Sequence, residues 1–333
     1  MTDTTAKSAA DELIAAAVVC DMVLPWGARW IGVRGDTLER FAKSGFNYVS
    51  LTVGLDSVPS LEATIQHMAA ERRRIESAPD KYVFVESVDD IARAKREGKL
   101  ALGFHHQGTN ALQGDVNMVS LYYRLGVRAL LLCYNSKNSV GDGCHEPTNA
   151  GLSSFGRTLI LEMNRVGMLV DCSHTGHRTT MEAMEVSTSP VIFSHSNARV
   201  LRDHERNIRD DQIKACAASG GVIGMNGMGI YIADNVADNE SMFRHVDYMC
   251  ELVGWQHVGL GLDYVYFADG FYNLIRAKPD MYPPADYPIP QAFFEPEQLR
   301  GLTQVMIDHG YTSEQVTGIL GGNFLRVARQ VWK

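Results

Sequence analysis

The feature that most constrains this chain is an end-to-end alternation of short apolar runs with amphipathic helical patterns. The apolar runs have the length of buried strands, whereas the segments between them repeat apolar residues at helical spacing. Gly45, Gly98 and Gly167 stand where a helical pattern stops and a strand pattern starts, as expected of the residue that ends a helix. The predicted strands are Ala15–Met22, Asn47–Val53, Leu100–His106, Ala129–Asn135, Met168–His174, Val191–His195, Val222–Asn226 and His257–Tyr264.

Eight strands separated by helices predict an α/β fold, in which a parallel sheet closes into a (β/α)8 TIM barrel. Such a barrel takes about 250 residues, so a chain of 333 residues has room for insertions and for extra C-terminal helices, predicted over Glu297–Asp308 and Ser313–Val331. No linker or internal repeat divides the sequence, so we expect residues 1–333 to form a single domain. Within it, residues 279–296 carry six prolines and are expected to form an ordered loop over one face.

Charge and composition exclude several classes of partner. Acidic residues outnumber basic ones by 39 to 31 and no long basic block occurs, so neither nucleic acid nor a membrane surface is an expected partner. The N-terminus lacks the pattern of a secretory signal, and the six cysteines show no CxxC spacing, which favours free thiols in a cytoplasmic protein. We expect a small-molecule substrate, and the sequence leaves open whether the chain forms a homodimer.

Polar side chains stand near the carboxyl ends of several predicted strands, where barrels of this kind carry their active sites. They are Asp21, Gln107, Tyr134, His174, His195 and Asp263. His174 and His195 close successive strands and can hold one metal through neutral imidazole nitrogens, although a bond to a backbone carbonyl would explain either histidine alone. Asp263 can carry a proton beside such a metal.

Several motifs, taken together, resemble the membrane (renal) dipeptidase family. In chain order they are Gly151–Gly156, Glu162–His174, Pro190–Ala198, Arg206-Asn207 with Asp210-Asp211, and Gly321–Val327. The resemblance implies a metal-dependent (β/α)8 barrel that hydrolyses dipeptides, including those with a D-residue on the C-terminal side. It also implies a site with two zinc ions bridged by a glutamate.

The resemblance assigns roles to individual residues. It implies that His174 and His195 hold the second metal, and that Asp263 is the catalytic aspartate. Tyr134 falls where the best-known members have a substrate-binding histidine. Arg206 matches the arginine that binds the substrate carboxylate, a role suited to the guanidinium fork. The alternative for Arg206, a surface salt bridge with its acidic neighbours, would leave it without a function. As a carboxylate clamp, it is expected at the mouth of the pocket.

Strand one departs from the family at the first metal. The family has a His-x-Asp pair there, whereas the run Val19–Trp26 contains no histidine. Aligning Leu24-Pro25 with the family places Asp21 at the histidine and Val23 at the aspartate. Aligning Asp21 with the aspartate that precedes the pair leaves Val23 and Pro25 as the ligand positions. The pair is broken in both alignments.

The bridging glutamate is also missing. Counting back without a gap from Tyr123–Gly126 places Gln107 at that position. A neutral amide is a weak zinc ligand and cannot bridge two cations as a carboxylate does. We therefore expect one zinc ion on His174 and His195, with two ions less favoured.

The third ligand is left open among four residues, Gln107, Asp21, Asp263 and His105. His105 shares a strand face with Gln107, and His106 should point outward.

Three functions are compatible with this sequence. The leading hypothesis is a metal-dependent hydrolase that cleaves an amide bond in a dipeptide or another small carboxylate-bearing molecule. The alternative is a mononuclear or metal-free site that catalyses a lyase, isomerase or other hydrolase step on a small metabolite, because the fold does not fix the chemistry. A binding protein without turnover is disfavoured by the retention of both histidines, Arg206 and Asp263.

Overall fold

The computed structural model describes residues 8–27, 34–57 and 60–333. The strands within these ranges are β1 Val19–Pro25, β2 Phe46–Leu55, β3 Tyr82–Phe84, β4 Leu100–Gln107, β5 Val127–Leu131, β6 Leu169–Asp171, β7 Val191–Ile192, β8 Ile223–Met225 and β9 Val258–Leu260. The α-helices are α1 Ala9–Ala16, α2 Thr37–Lys43, α3 Leu61–Glu76, α4 Val88–Arg96, α5 Met118–Arg124, α6 Ser154–Val166, α7 His177–Val186, α8 Asp210–Ala218, α9 Gly229–Ile232, α10 Asn239–Val253, α11 Ala268–Ala277, α12 Leu299–Asp308, α13 Ser313–Thr317 and α14 Asn323–Val331.

Eight of these strands follow one another around a parallel barrel. β1, β2, β4, β5, β6 and β7 pair in that order, and β8 pairs with β9. A parallel bridge between Phe193 and Ile223 connects β7 to β8. The backbone N–H of Leu262, just after β9, donates to the Asp21 carboxylate in β1. The predicted (β/α)8 fold is therefore confirmed, with the extra helices α12 to α14 at the C-terminal end.

The first predicted strand begins too early and ends too early. Ala15 and Ala16 belong to α1, which Ser8 opens by accepting a hydrogen bond from the backbone N–H of Asp11 while the Asp11 carboxylate bonds back to Ser8. The strand itself starts at Val19 and continues to Pro25. Asp21 is consequently an interior residue of β1 and does not lie at its carboxyl end.

The predicted helix Ser313–Val331 is interrupted. A wide turn over Gly318–Gly322 separates α13 from α14. A Cβ at Gly321 would collide with the backbone carbonyl of Val18, so only glycine lets the chain approach β1 this closely. The contact fastens the C-terminal helices to the bottom of the barrel, where β1 begins.

The core lies between the barrel and its helices, and contains fully buried side chains such as Leu51, Phe104 and Val170. All six cysteines are free thiols. In the part of the chain that the structure describes, no helix is both long and apolar enough to cross a membrane.

Candidate active site

The barrel gathers most of the predicted site residues at the carboxyl ends of its strands. Gln107 ends β4, while Tyr134, His174, His195 and Asp263 follow β5, β6, β7 and β9. Gln107, Tyr134, His174 and Asp263 line a cavity of about 330 Å³. Asp21 and Arg206 lie behind its wall, in β1 and in the loop between β7 and α8 respectively.

His174 and His195 meet directly. Their Nε2 atoms are 2.8 Å apart, and both side chains are buried. Burial lowers the pKa of each imidazole well below its ordinary value, with the positive charge of Arg206 acting in the same direction. Both rings are therefore neutral at physiological pH, which is the form that binds a metal.

The backbone is constrained at three positions of the site. Asn135, His174 and Asp263 have φ values of 60°, 60° and 53°, in the left-handed region that residues other than glycine rarely adopt. Such conformations cost about 1–3 kcal/mol each and persist where the surrounding structure enforces them. Their concentration around one cavity supports a functional role for it.

Asn135 fixes the proton on His174. Its Nδ2 donates to the backbone carbonyl of Met281 at 2.9 Å and to the Tyr287 hydroxyl at 3.3 Å, so its carbonyl oxygen Oδ1 faces His174. That oxygen can only accept, and it lies 2.6 Å from His174 Nδ1. His174 thus carries its proton on Nδ1 and presents a lone pair at Nε2.

On the far side of His195, two buried side chains continue the hydrogen-bonded chain. The Ser194 hydroxyl lies 2.6 Å from His195 Nδ1 and donates to the Asp171 carboxylate at 2.5 Å. Burial raises the pKa of Asp171. This relay of Asp171, Ser194 and His195 can hold its protons in two ways. With Asp171 protonated, His195 carries its proton on Nε2 and donates to His174. With Asp171 ionised, His195 donates from Nδ1 to Ser194, and two Nε2 lone pairs converge.

Converging lone pairs are the donor arrangement of a cation site. The imidazole Nε2 atoms of His174 and His195 are the ligand type that zinc prefers, and each ring is oriented by a partner on its other nitrogen. The donor set therefore fits one divalent cation. Among the residues that the structure describes, no further histidine, cysteine, aspartate or glutamate joins the two in a three-ligand group.

We expect Ser194→Ala to weaken zinc binding by about 10- to 100-fold, because His195 loses the partner that holds its proton on Nδ1. A competition titration against a chromophoric chelator measures this affinity. Ser196→Ala is the matched control, since no hydrogen-bond partner of the buried Ser196 hydroxyl is found among the described residues. Equal zinc affinity in both variants would show that the relay does not orient His195.

At the family's first metal, two of the positions matched to ligands hold Val23 and Gln107. Val23 is apolar and fully buried. The Gln107 amide donates to the Thr52 hydroxyl at 3.1 Å. His105 has both ring nitrogens within 2.9 Å of the hydroxyls of Ser50 and Thr52. Gln107 and His105, which lie near the position of the family's first metal, are thus both hydrogen-bonded to the Thr52 hydroxyl.

Asp21 is buried beside this region. Its Oδ1 accepts from the backbone N–H groups of Leu262 and Val23, and for its Oδ2 no partner is found in the described part of the chain. Burial raises the pKa of Asp21 well above its ordinary value, and the nearby Asp263 adds to the effect. Asp21 thus links the segment after β9 to β1 through Oδ1, and its Oδ2 is available to a further donor or to a cation.

Asp263 is placed to exchange a proton at the cavity. Its Oδ2 accepts from the Asn226 amide at 3.2 Å. Burial raises the pKa of Asp263 to about 6, against the lowering influence of Arg206. A carboxyl group with this pKa is ionised at neutral pH and close enough to it to act as a general base.

Arg206 is buried, not at the mouth of the pocket as expected. Its side chain is 2% exposed, because the guanidinium packs 5.3 Å from the ring centre of Tyr231, which itself lines the cavity. The acidic neighbours Asp203 and Glu205 bind Arg199 instead, so the surface salt bridge is excluded. For Nε and Nη1 of Arg206, no hydrogen-bond partner is found among the described residues. A buried cation with free donors is suited to a carboxylate.

Residues 279–296 contribute Tyr282 to the cavity wall. The Tyr282 hydroxyl is 2.8 Å from that of Tyr134, whose ring stacks on His174 at 4.0 Å between centres. The Tyr287 hydroxyl is 2.9 Å from His145 Nε2. The proline-rich stretch is thus bonded to the site by its tyrosines.

Sequence reasoning missed Asp171, Ser194 and Asn135. The available signal is proximity in sequence to a predicted ligand: Ser194 directly precedes His195, and Asp171 ends the strand before His174. What the sequence does not reveal is that they bond to each other across strands.

Comparison with known proteins identifies one family. The model of the membrane dipeptidase family (peptidase family M19) matches residues 27–278. An uncharacterized dipeptidase of Schizosaccharomyces pombe is 32% identical over 280 residues, which are 81% of this chain and 62% of that protein. The chain spans 60–62% of the length of the first curated relatives that it matches.

Two solved structures illustrate the structural likeness. An amidohydrolase from Pseudomonas aeruginosa is 28% identical and superposes with a TM-score of 0.88 over 98% of this chain and 99% of its own. A metallo peptidase from Rhodobacter sphaeroides, bound to a phosphinate mimic of the dipeptide L-Ala-D-Ala, shares the fold at 18% identity. Its TM-score is 0.80 over 95% of this chain and 99% of its own.

Proposed function

The chain belongs to the membrane dipeptidase family, and from its site we propose that it is a metal-dependent hydrolase of an amide bond in a small, carboxylate-bearing molecule. The observation that carries the proposal is the convergence of two neutral imidazoles, each oriented by a partner on its far nitrogen. We assign one zinc ion to His174 and His195.

Held by His174 and His195, a zinc ion would supply Lewis-acid polarisation of the amide carbonyl. The protein's own residues do the rest. Asp263, ionised at neutral pH, takes a proton from the attacking water and passes it to the leaving amine. Arg206 pairs with the substrate carboxylate through its free N–H groups, once the Tyr231 side chain gives access. The buried tyrosines limit access of bulk water to the cavity.

We expect protein stripped with a chelator to regain activity in proportion to added zinc and to saturate at one ion per chain. Elemental analysis of the reconstituted protein, together with amine release from a panel of amides, measures both quantities. The control is His195→Ala, which should retain the fold and neither bind zinc tightly nor release amine.

Two outcomes would contradict the proposal. Saturation at two ions would mean that the neutral residues around Gln107 and Val23 still assemble a second site. Stoichiometric zinc binding without amine release from any amide would favour the lyase or isomerase alternative.

A further inference from the structure

The cavity wall is apolar over most of its extent. Phe271 and Leu274 come from α11, Leu55 from β2, Val265 from the segment after β9, and Trp26 from the segment after β1. Phe271 and Val265 belong to one buried cluster, against which Leu55 and Leu274 pack. A cavity of about 330 Å³ with such walls suits a bulky apolar group.

The apolar wall begins next to the proposed metal ligand His174. Tyr134 stacks on His174 at 4.0 Å between ring centres, Tyr282 lies 6.2 Å from Tyr134, and Phe271 lies 6.2 Å from Tyr282. The hydroxyls of Tyr134 and Tyr282 bond to each other. A substrate group attached next to the reacting carbonyl at His174 therefore runs along aromatic rings.

The same wall has little to offer a positive charge. Among the cavity-lining residues that the structure describes, Asp263 is the one carboxylate and Lys278 the one ammonium. Asp263 already accepts from Asn226, and it is needed for proton transfer. The Gln107 side chain, which also lines the cavity, is neutral and bonded to Thr52.

A free dipeptide carries an α-ammonium group on the carbon next to the reacting carbonyl. Burying that charge in this cavity would leave it without a dedicated carboxylate, which is costly. Replacing the ammonium by hydrogen removes the cost and keeps the apolar contacts.

We propose that the substrate is an amide whose acyl side is bulky, apolar and uncharged, so that N-acyl amino acids are preferred to free dipeptides. The proposal rests on the proposed hydrolase function and defines its substrate class. It assigns Phe271, Leu274 and Leu55 to recognition of the acyl group.

Two probes that differ in one group test the proposal on the zinc-loaded protein. They are 3-phenylpropanoyl-alanine and phenylalanyl-alanine, which are identical except for the α-ammonium, each made with L- and D-alanine. We expect kcat/KM to be about tenfold or more higher for the acyl compound. Acetyl-alanine, which lacks the aryl group, should also be about tenfold poorer than the phenylpropanoyl probe. A dipeptide cleaved as well as or better than the acyl compound would overturn the proposal.

A negative charge placed in the wall should reduce the preference for the acyl compound. Leu274→Asp gives the ammonium a partner, so the ratio of acyl to dipeptide turnover should fall at least about tenfold. Leu161→Asp, on the exposed face of α6, is the matched control and should leave the ratio unchanged. An unchanged ratio in Leu274→Asp would contradict the assignment of this wall to the acyl group.

Calorimetric binding separates failure of the substrate class from failure of the hydrolase function. If neither probe is cleaved but the acyl compound binds more tightly, the hydrolase function is rejected and the substrate class is supported. Equal binding of the two probes, tighter binding of the dipeptide, or no binding of either rejects the substrate class.

Discussion

Arg206→Met is expected to lose about 2–5 kcal/mol of transition-state stabilisation toward a carboxylate-bearing amide, while its melting temperature stays constant or rises. The two effects have one cause. The Arg206 guanidinium is buried, and among the described residues it makes a single weak hydrogen bond, from Nη2 to the carbonyl of His195 at 3.4 Å. An unpaired buried charge is costly, and methionine fills similar space without it.

Kinetics on a matched pair of leaving groups measures the effect. Wild-type protein should prefer an alanine leaving group over alaninamide, and Arg206→Met should lose this preference. Arg206→Lys should fail nearly as badly, because an ammonium cannot make two parallel N–H bonds. The control Arg199→Met removes a half-buried arginine that is already paired with Asp203 and Glu205, and it should change neither property. A melting temperature that collapses in Arg206→Met, with the preference intact, would identify a structural arginine.

Gly261→Ala should destabilise the protein by about 3 kcal/mol and abolish tight zinc binding. A Cβ at this position would overlap the backbone carbonyl of Ser194 and lie 3.3 Å from the Cα of His195. Neither is the end of a flexible side chain, so the strands must separate. His195 and the relay through Ser194 would move with them.

Gly259→Ala, two residues earlier and within β9, is the control. Its Cβ would meet the flexible end of Met22 at 3.2 Å and Val222 at 3.3 Å, which can adjust. Denaturant unfolding and zinc titration of both variants check the expectation. Gly261→Ala with wild-type stability would mean that the barrel tolerates a wider gap beside His195.

The sequence predicts the barrel well because each barrel strand is an apolar run with a turn signal nearby. The helix predicted over Glu297–Asp308 is observed as α12, Leu299–Asp308, because its buried residues Leu299, Leu302 and Met306 recur at helical spacing. By contrast, β3 is missed because three residues, Tyr82–Phe84, are too few to form a pattern. α11 is missed because Gly270 and the following proline-rich stretch obscure it. The break before α14 depends on a contact between Gly321 and Val18, distant in sequence.

The residues at the carboxyl ends of the predicted strands indicate the position of the site correctly. His174, Tyr134 and Asp263 line the cavity because barrel geometry alone brings strand ends together. The burial of Arg206 could not be predicted, because its charged sequence neighbours suggest a surface position. Only the three-dimensional packing shows that Asp203 and Glu205 pair with Arg199 instead. The third ligand stays an open prediction.

Asn135 has a consequence that extends beyond His174. One end of its amide accepts from His174, and the other end donates to Met281 and Tyr287 in the proline-rich stretch. Ordering of that stretch and binding of a cation at the two histidines are therefore coupled through Asn135. Thermodynamic reciprocity requires each to favour the other by the same free energy. Loss of the bonds from Asn135 to this stretch would leave His174 less firmly oriented for a cation, and a cation bound at His174 would favour the ordered stretch by the same free energy.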